Sequence, residues 1–274
     1  MVISRHVQHS DRIVYEDLDW NEARQAGLTA DEVFILTYFS DIESQTIMYM
    51  RDILNTEGVL DPDVMSFLTI WNYEEFYHGQ ALARLLEECG HPLAERRIET
   101  VRRKALITET LKRLGAMIFS KGLPADFIAL YMAWGALNEI TTLRGYEAIE
   151  ANTKNPVLAE ICRRIAKQER RHFAWYFNGA RERLQKSRRA QVIARFVLGH
   201  VWSPVGAGVK KIEEVIRLYN LTFPQRRGEE VARAIDDTIG TLPGLAGLPL
   251  MTAFARKAMP QAHPLALQAA KTHM

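Results

Sequence analysis

Cysteine is scarce in this chain: Cys89 and Cys162 are the only two among 274 residues, and no C-x-x-C pair occurs. A disulfide framework and a thiolate zinc knuckle are not indicated, and a reducing cytoplasm is the expected setting. Long apolar runs are missing too. No stretch approaches the roughly 18 residues needed to span a bilayer, and the opening segment MVISRHVQHSDRIVYEDLDW lacks the apolar core of a signal peptide. Charge of one sign is also lacking: 35 Lys and Arg stand against 33 Asp and Glu, a formal +2, so the whole-chain field does not argue for nucleic acid. Convincing strand alternation is absent. With 47% apolar and 25% charged residues, the chain can bury a sizeable core and reads as all-α.

Local signals place the helices. Thr29 with Glu32 forms a capping box that opens a helix to about 56, closed by Gly58. Asp61 followed by Pro62 opens a second, running to about 89 with Gly90 as its stop. Further helices are expected at about 97–120, from Pro124 to about 152, and from Asn155-Pro156 to about 186. Shorter ones follow at about 188–202, 209–220 and 226–240, with a loop at 203–208 and a partly irregular tail from Leu242. No linker-like composition divides the chain. Residues 1–274 are therefore read as one domain, with a core bundle at about 29–187 and a helical appendage at about 188–274.

In the second helix Val64, Leu68, Trp71, Leu82 and Leu85 mark one face, and Glu75 and His78 fall on it. A carboxylate on a buried face costs on the order of several kcal/mol unless it is paired or bound to a metal. The Glu-x-x-His spacing sets both side chains about one turn apart. The helix at 156–186 repeats the pattern, with Glu169 and His172 among Leu158, Ile161, Cys162, Ile165, Phe173 and Tyr176. Two more helices each carry one misplaced glutamate. Glu43 lies within Leu36, Phe39, Ile47, Met50 and Leu54, and Glu139 within Ile128, Met132, Gly135, Leu143 and Tyr146. A helix with Glu followed by a helix with Glu-x-x-His thus occurs twice.

Four carboxylates balance two divalent ions, and one imidazole serves each. Oxygen-rich ligation with open positions suits iron, or a manganese–iron pair, better than structural zinc. The competing reading pairs the inward acids with Arg144, Arg170 or Arg171, and must bury four acids without four inward bases.

The segment WNYEEFYHG from Trp71 resembles the W-x-x-E-E-x-x-H-G signature of the soluble acyl-carrier-protein desaturases, and ICRRIAKQERRH from Ile161 resembles their I-C-x-x-I-A-x-D-E-x-R-H. Glu139 with Thr142 is similar to that family's E-x-x-T. The resemblance covers about residues 30–180. It implies a ferritin-like di-iron four-helix bundle with additional helices, forming a homodimer, with iron ligands Glu43, Glu75, His78, Glu139, Glu169 and His172. Thr142 would be the catalytic residue that manages protons, Glu74 and Gln168 would stand behind the ligand histidines, and Trp71 would relay electrons or simply fill core. The implied reaction removes two hydrogens from an acyl chain carried as a thioester on an acidic acyl-carrier protein, using dioxygen and two electrons from a donor such as ferredoxin.

Two departures keep other outcomes open. The family's Asp before the second Glu-x-x-His is Gln168 here, a neutral amide that leaves its imidazole less basic. The family's Asn-Arg is Phe76-Tyr77, a bulkier flank. Hydroxylation, amine oxidation or C–C cleavage of another substrate is the alternative enzyme reading. A non-catalytic or iron-storing bundle is the alternative of a different class.

The densest basic run, Arg181, Arg183, Lys186, Arg188 and Arg189, is a candidate docking patch for the carrier or a solvated helix end; Arg102, Arg103 and Lys104 form a second cluster. His200 and Trp202 suggest a lid or a dimer contact. Tyr38, Tyr49, Tyr73 and Tyr131 read as core rather than radical carriers, and His6, His9, His263 and His273 receive no role.

Overall fold

Capping side chains set most boundaries. In α1 (Trp20–Ala26) the Asp19 carboxylate accepts from the Asn21 and Glu22 N–H groups, and both arms of the Thr29–Glu32 box open α2 (Ala30–Glu43). Asp61 caps α4 (Pro62–Glu88) and Asn155 caps α8 (Pro156–Lys186), each with proline at the first helical position. Between them run α3 (Thr46–Leu54), a 3-10 turn (Glu57–Leu60), α5 (Arg97–Thr108), α6 (Thr110–Gly122) and α7 (Pro124–Asn152). Then follow α9 (Arg188–Val201), α10 (Ile212–Thr222), α11 (Arg226–Gly240) and α12 (Met251–Ala258). The computed structural model describes residues 10–108, 110–224 and 226–258, with the side chains of 104–114 set aside. The protein is an all-α helical bundle, and no helix among the described residues is long and apolar enough to cross a membrane.

Four long elements make the core. The α7–α8 pair forms a helical hairpin, α2 packs on α4, and α4 on α8. One apolar cluster joins Val64, Phe67 and Leu68 of α4 to Met132 and Leu137 of α7, and a second joins Leu36 of α2 to Leu82, Tyr146 and Ile161. Ile235, Ile239 and Met251 of the C-terminal helices belong to the first cluster, so this third of the chain packs onto the bundle.

The segment expected as one helix to about 56 is two. The helix is interrupted at Ser44-Gln45, directly after Glu43, although both residues keep right-handed helical backbone angles. The Thr46 hydroxyl donates back to the Glu43 carbonyl at 2.8 Å, satisfying a group the break frees. The break shifts the helical phase, so Met48 and Ile53 face inward while Ile47 and Leu54 are exposed and Met50 is half-exposed. The stripe expected at Ile47, Met50 and Leu54 is thereby corrected. On α8, Phe173 is only half-buried, and Trp175 takes the inner place, stacked on Phe67.

Loop 203–211 lies across α2. The Tyr38 hydroxyl donates to the Val205 carbonyl at 2.9 Å. Gly206 has φ +90°, and a Cβ there would meet the Tyr38 hydroxyl at 2.0 Å, so glycine is required twice over. The Asp41 carboxylate, almost wholly buried, takes a bidentate Arg97 guanidinium and the Lys210 ammonium.

Candidate metal centre

Glu43 ends α2, Glu75 and His78 sit on successive turns of α4, Glu139 is mid-α7, and Glu169 and His172 sit on successive turns of α8. All six are buried. They converge as two overlapping groups, Glu43–Glu75–His78–Glu169 and Glu75–Glu139–Glu169–His172, in each of which one ligand atom per residue lies within 4.8 Å of the others. Glu75 and Glu169 belong to both groups, as bridging carboxylates would. His78 Nδ1 is 3.3 Å from Glu169 Oε1 and 3.7 Å from Glu75 Oε2. His172 Nδ1 is 3.0 Å from Glu75 Oε1 and 3.6 Å from Glu139 Oε2.

The other ring nitrogens are held crosswise. His172 Nε2 donates to Glu74 Oε2, and His78 Nε2 donates to Gln168 Oε1, both at 2.6 Å. The amide orientation follows from Gln168 Nε2, which donates to the Asp11 carbonyl at 2.7 Å. Both Nδ1 atoms thus face the carboxylates. Glu74 also accepts from Arg171 Nη2 at 2.9 Å and from the Asp11 N–H at 3.2 Å.

The arginine alternative fails. Arg144 and Arg170 pair with Glu147 at the surface, and Arg171 with Glu74, none with the four inward glutamates. His78 Nδ1 and both Glu169 oxygens are buried without hydrogen-bond geometry to any neighbour. Buried polar atoms left in this state cost roughly 1–3 kcal/mol each, and a cation bound among them would use their lone pairs once the imidazoles are neutral. These residues fit a bound metal.

Protons stand in for cations in the metal-free state. Burial, then the Glu75 charge, pushes the Glu43 carboxyl well up, and burial with the Glu169 charge does the same to Glu139. Burial also opposes ionisation of Glu75 and Glu169, yet the Glu43 carboxyl and then the imidazoles hold Glu75 well below the usual range, and the imidazoles hold Glu169 below it. Burial opposes charge on His78, but the Glu169 and Glu75 carboxylates raise it to about 9, and His172 rises well above its ordinary value for the same reason. Raised values for two acids and both imidazoles, beside lowered values for the other two acids, are the directions that reduce the net charge of the cluster.

Trp71, read as relay or core, is buried and its Nε1–H donates to Glu139 Oε1 at 3.1 Å. Thr142 is half-buried and lines a small apolar cavity with Phe39, Ile42, Gly145, Val205 and Phe254. Phe76 is exposed and lines a different cleft, so its bulk does not shape the apolar cavity.

The basic run is largely engaged within the chain. Arg183 bonds Asp61, Arg189 bonds Asp126, Lys186 bonds Glu182, Arg181 bonds Asn178 and Arg188 bonds Gln191. Arg102 donates to the Ser44 carbonyl and Arg103 to Glu99, while the Lys104 side chain lies outside those described. His200 stacks on Phe196 in an exposed position, and Trp202 Nε1 donates to Asn138 at 3.1 Å, so neither lines the apolar cavity. Tyr38 caps the 203–211 loop, Tyr131 lies in the aromatic group around Tyr176, and Tyr73 is exposed. His6, His9, His263 and His273 lie outside the described residues.

Two contacts escaped the sequence reading. Tyr146, expected as core, donates its hydroxyl to Glu43 Oε1 at 2.5 Å. The Asp11 backbone joins Glu74 and Gln168. Neither has a sequence signal, since a tyrosine on an apolar stripe fits packing and backbone groups carry no identity.

No protein-family model matches the chain, nor does any curated protein or solved structure.

Proposed function

We propose that the chain is an oxygen-dependent dinuclear-iron oxidoreductase that acts on an apolar acyl chain. The observation that carries the reading is the pair of overlapping ligand groups sharing Glu75 and Glu169. Four carboxylates and one imidazole per position suit a hard, redox-active divalent ion; Fe/Fe is favoured, with Mn/Fe as the variant. Iron bound here would supply electron transfer to dioxygen and the oxidising power for C–H cleavage.

The chain's own residues do the rest. Glu74 and Gln168 fix both imidazoles with Nδ1 inward. Tyr146 and Trp71 hold the Glu43 and Glu139 carboxylates by one oxygen each, and the other oxygen of each would be available to a metal ion. Phe39, Ile42, Val205 and Phe254 form a dry wall for a hydrocarbon. Thr142, three residues beyond Glu139 and in the cavity wall, would donate or accept a proton at its hydroxyl. An acyl-carrier protein as donor and ferredoxin as reductant belong to this reading, as does a homodimer. The α8–α9 corner bearing Arg181, Lys186 and Arg188 lies about 20 Å along α9 from the cavity wall at Pro204, given a rise of ~1.5 Å per residue.

The test loads the metal-free protein with Fe(II) anaerobically, adds an acyl thioester and a reductant, and admits dioxygen. Two irons per chain and a product lacking two hydrogens are expected. A product that gains oxygen would shift the assignment to hydroxylation. Iron uptake with no change in any acyl substrate would sink the acyl reading, and loading far above two ions would favour storage.

A further inference from the structure

The two halves of the centre are unlike in ways that bear on how cations arrive. On one side Glu43 ends a helix that breaks at once. A cleft between α3, α4 and α5 reaches it from the surface, its wall mixing the polar Ser44, Thr46, Asn72 and Arg102 with the apolar Ile47, Met50 and Phe76. Asn72 Nδ2 donates to Thr46 Oγ1 at 3.1 Å, Thr46 Oγ1 donates to the Glu43 carbonyl, and Arg102 donates to the Ser44 carbonyl, so a chain of polar groups runs inward. At the break the Ser44 hydroxyl and both polar atoms of the Gln45 amide are buried without a hydrogen-bond partner. A divalent ion sheds water stepwise, and only where oxygen ligands replace it; the Ser44 hydroxyl and the Glu43 carboxylate, both in the wall of this surface-opening cleft, meet that need.

On the other side Glu139 lies inside an unbroken helix. Trp71 covers it, and the rings of Tyr176 and Phe67 close around it and His172. Neither cavity is lined by Glu139 or His172. The imidazoles differ as well: the Glu74 carboxylate backs His172, and only the neutral Gln168 amide backs His78. A carboxylate behind a ligand histidine makes it a stronger donor, an effect of about 10–100-fold in affinity.

We propose that the Glu43–His78 position is the labile one, filled last and emptied first through the cleft at the α2–α3 break, and that the Glu139–His172 position is the tight, enclosed one. This rests on the dinuclear reading and adds an order of loading to it. Gln168 and Glu74 act as positioning residues that set the gap between the two steps.

The test titrates the full-length, metal-free protein anaerobically with Co(II), followed by visible absorption and calorimetry. Two steps about 10–100-fold apart are expected. Glu43→Gln should remove the weak step and keep the tight one, and Glu139→Gln should do the reverse. Gln168→Glu should tighten the weak step by about tenfold, while Glu74→Gln should loosen the tight one, each narrowing the gap. Asn72→Trp, which narrows the cleft, should slow loading of the second ion alone in stopped-flow mixing. Two ions of indistinguishable affinity, loss of the tight step in Glu43→Gln, or an unchanged gap in both Gln168→Glu and Glu74→Gln would overturn the proposal while leaving the dinuclear centre standing. A wild-type protein that takes up fewer than two ions would instead overturn the dinuclear reading itself.

Discussion

Glu169 turns both carboxylate oxygens toward the centre, with His78 Nδ1 3.3 Å from one and His172 Nδ1 3.8 Å from the other. Glu169→Ala should therefore reduce metal content from two ions to one or none, with helicity by circular dichroism retained; a variant that keeps two ions would refute the bridge. The proton arrangement gives a second prediction. The folded-state value of His78, about 9, lies above its unfolded value near 6.5. Its contribution to metal-free stability is thus complete below about pH 6.5 and fades as pH rises through 9. Glu43 and Glu139, also raised, act in the same direction. The melting temperature of the metal-free protein should fall over that window, while the loaded protein, whose ligands are deprotonated already, should hold. Loading should release protons, up to one from each of Glu43, Glu139, His78 and His172. All six candidate ligands were legible because a buried carboxylate or imidazole interrupts an apolar stripe. Tyr146 was not, because it interrupts nothing.

Helix ends were legible for a different reason: caps are local chemistry, so Thr29, Asp61 and Asn155 announce α2, α4 and α8 from a few residues each. The α2–α3 break was not. Ser44-Gln45 holds neither glycine nor proline, and at the break Ser44 packs across the bundle on Gly79, where a Cβ would lie 2.7 Å from the Ser44 hydroxyl. Gly135 is tighter still, with the Tyr176 ring 2.4 Å from where a Cβ would stand. Alanine within a helix ordinarily gains about 0.5–1 kcal/mol over glycine, whereas overpacking costs about 1–3. Gly135→Ala should therefore lower the urea midpoint, because the ring is packed against Trp71 and Phe67 and cannot yield. Gly115→Ala in α6, where no neighbour lies within 4 Å, should raise it.

Across the whole molecule, Asp41 joins three distant parts of the chain: α2, Arg97 of α5 and Lys210 before α10. Asp41→Asn would leave the largely buried Lys210 ammonium without its counter-charge. Breaking a buried pair costs about 3–5 kcal/mol, less here since the Arg97 side chain is 34% exposed and solvent screens it. A loss of about 2 kcal/mol is expected by chemical denaturation, with faster proteolytic cleavage in 203–211. Unchanged cleavage would show that Tyr38 and Gly206 suffice to hold the loop. The packing of the C-terminal helices on α7 was invisible in sequence because their short amphipathic faces name no partner.

The crosswise support of the two histidines has a mechanical meaning. Glu74 of α4 grips α8 and Gln168 of α8 grips α4, one on each side of the centre. Sliding either helix by a single residue, about 1.5 Å, would snap both grips at once. The pair therefore works as a ruler: it fixes the gap between the imidazoles before any ion arrives, so chelation should strip the cations and leave the mould in which they were cast.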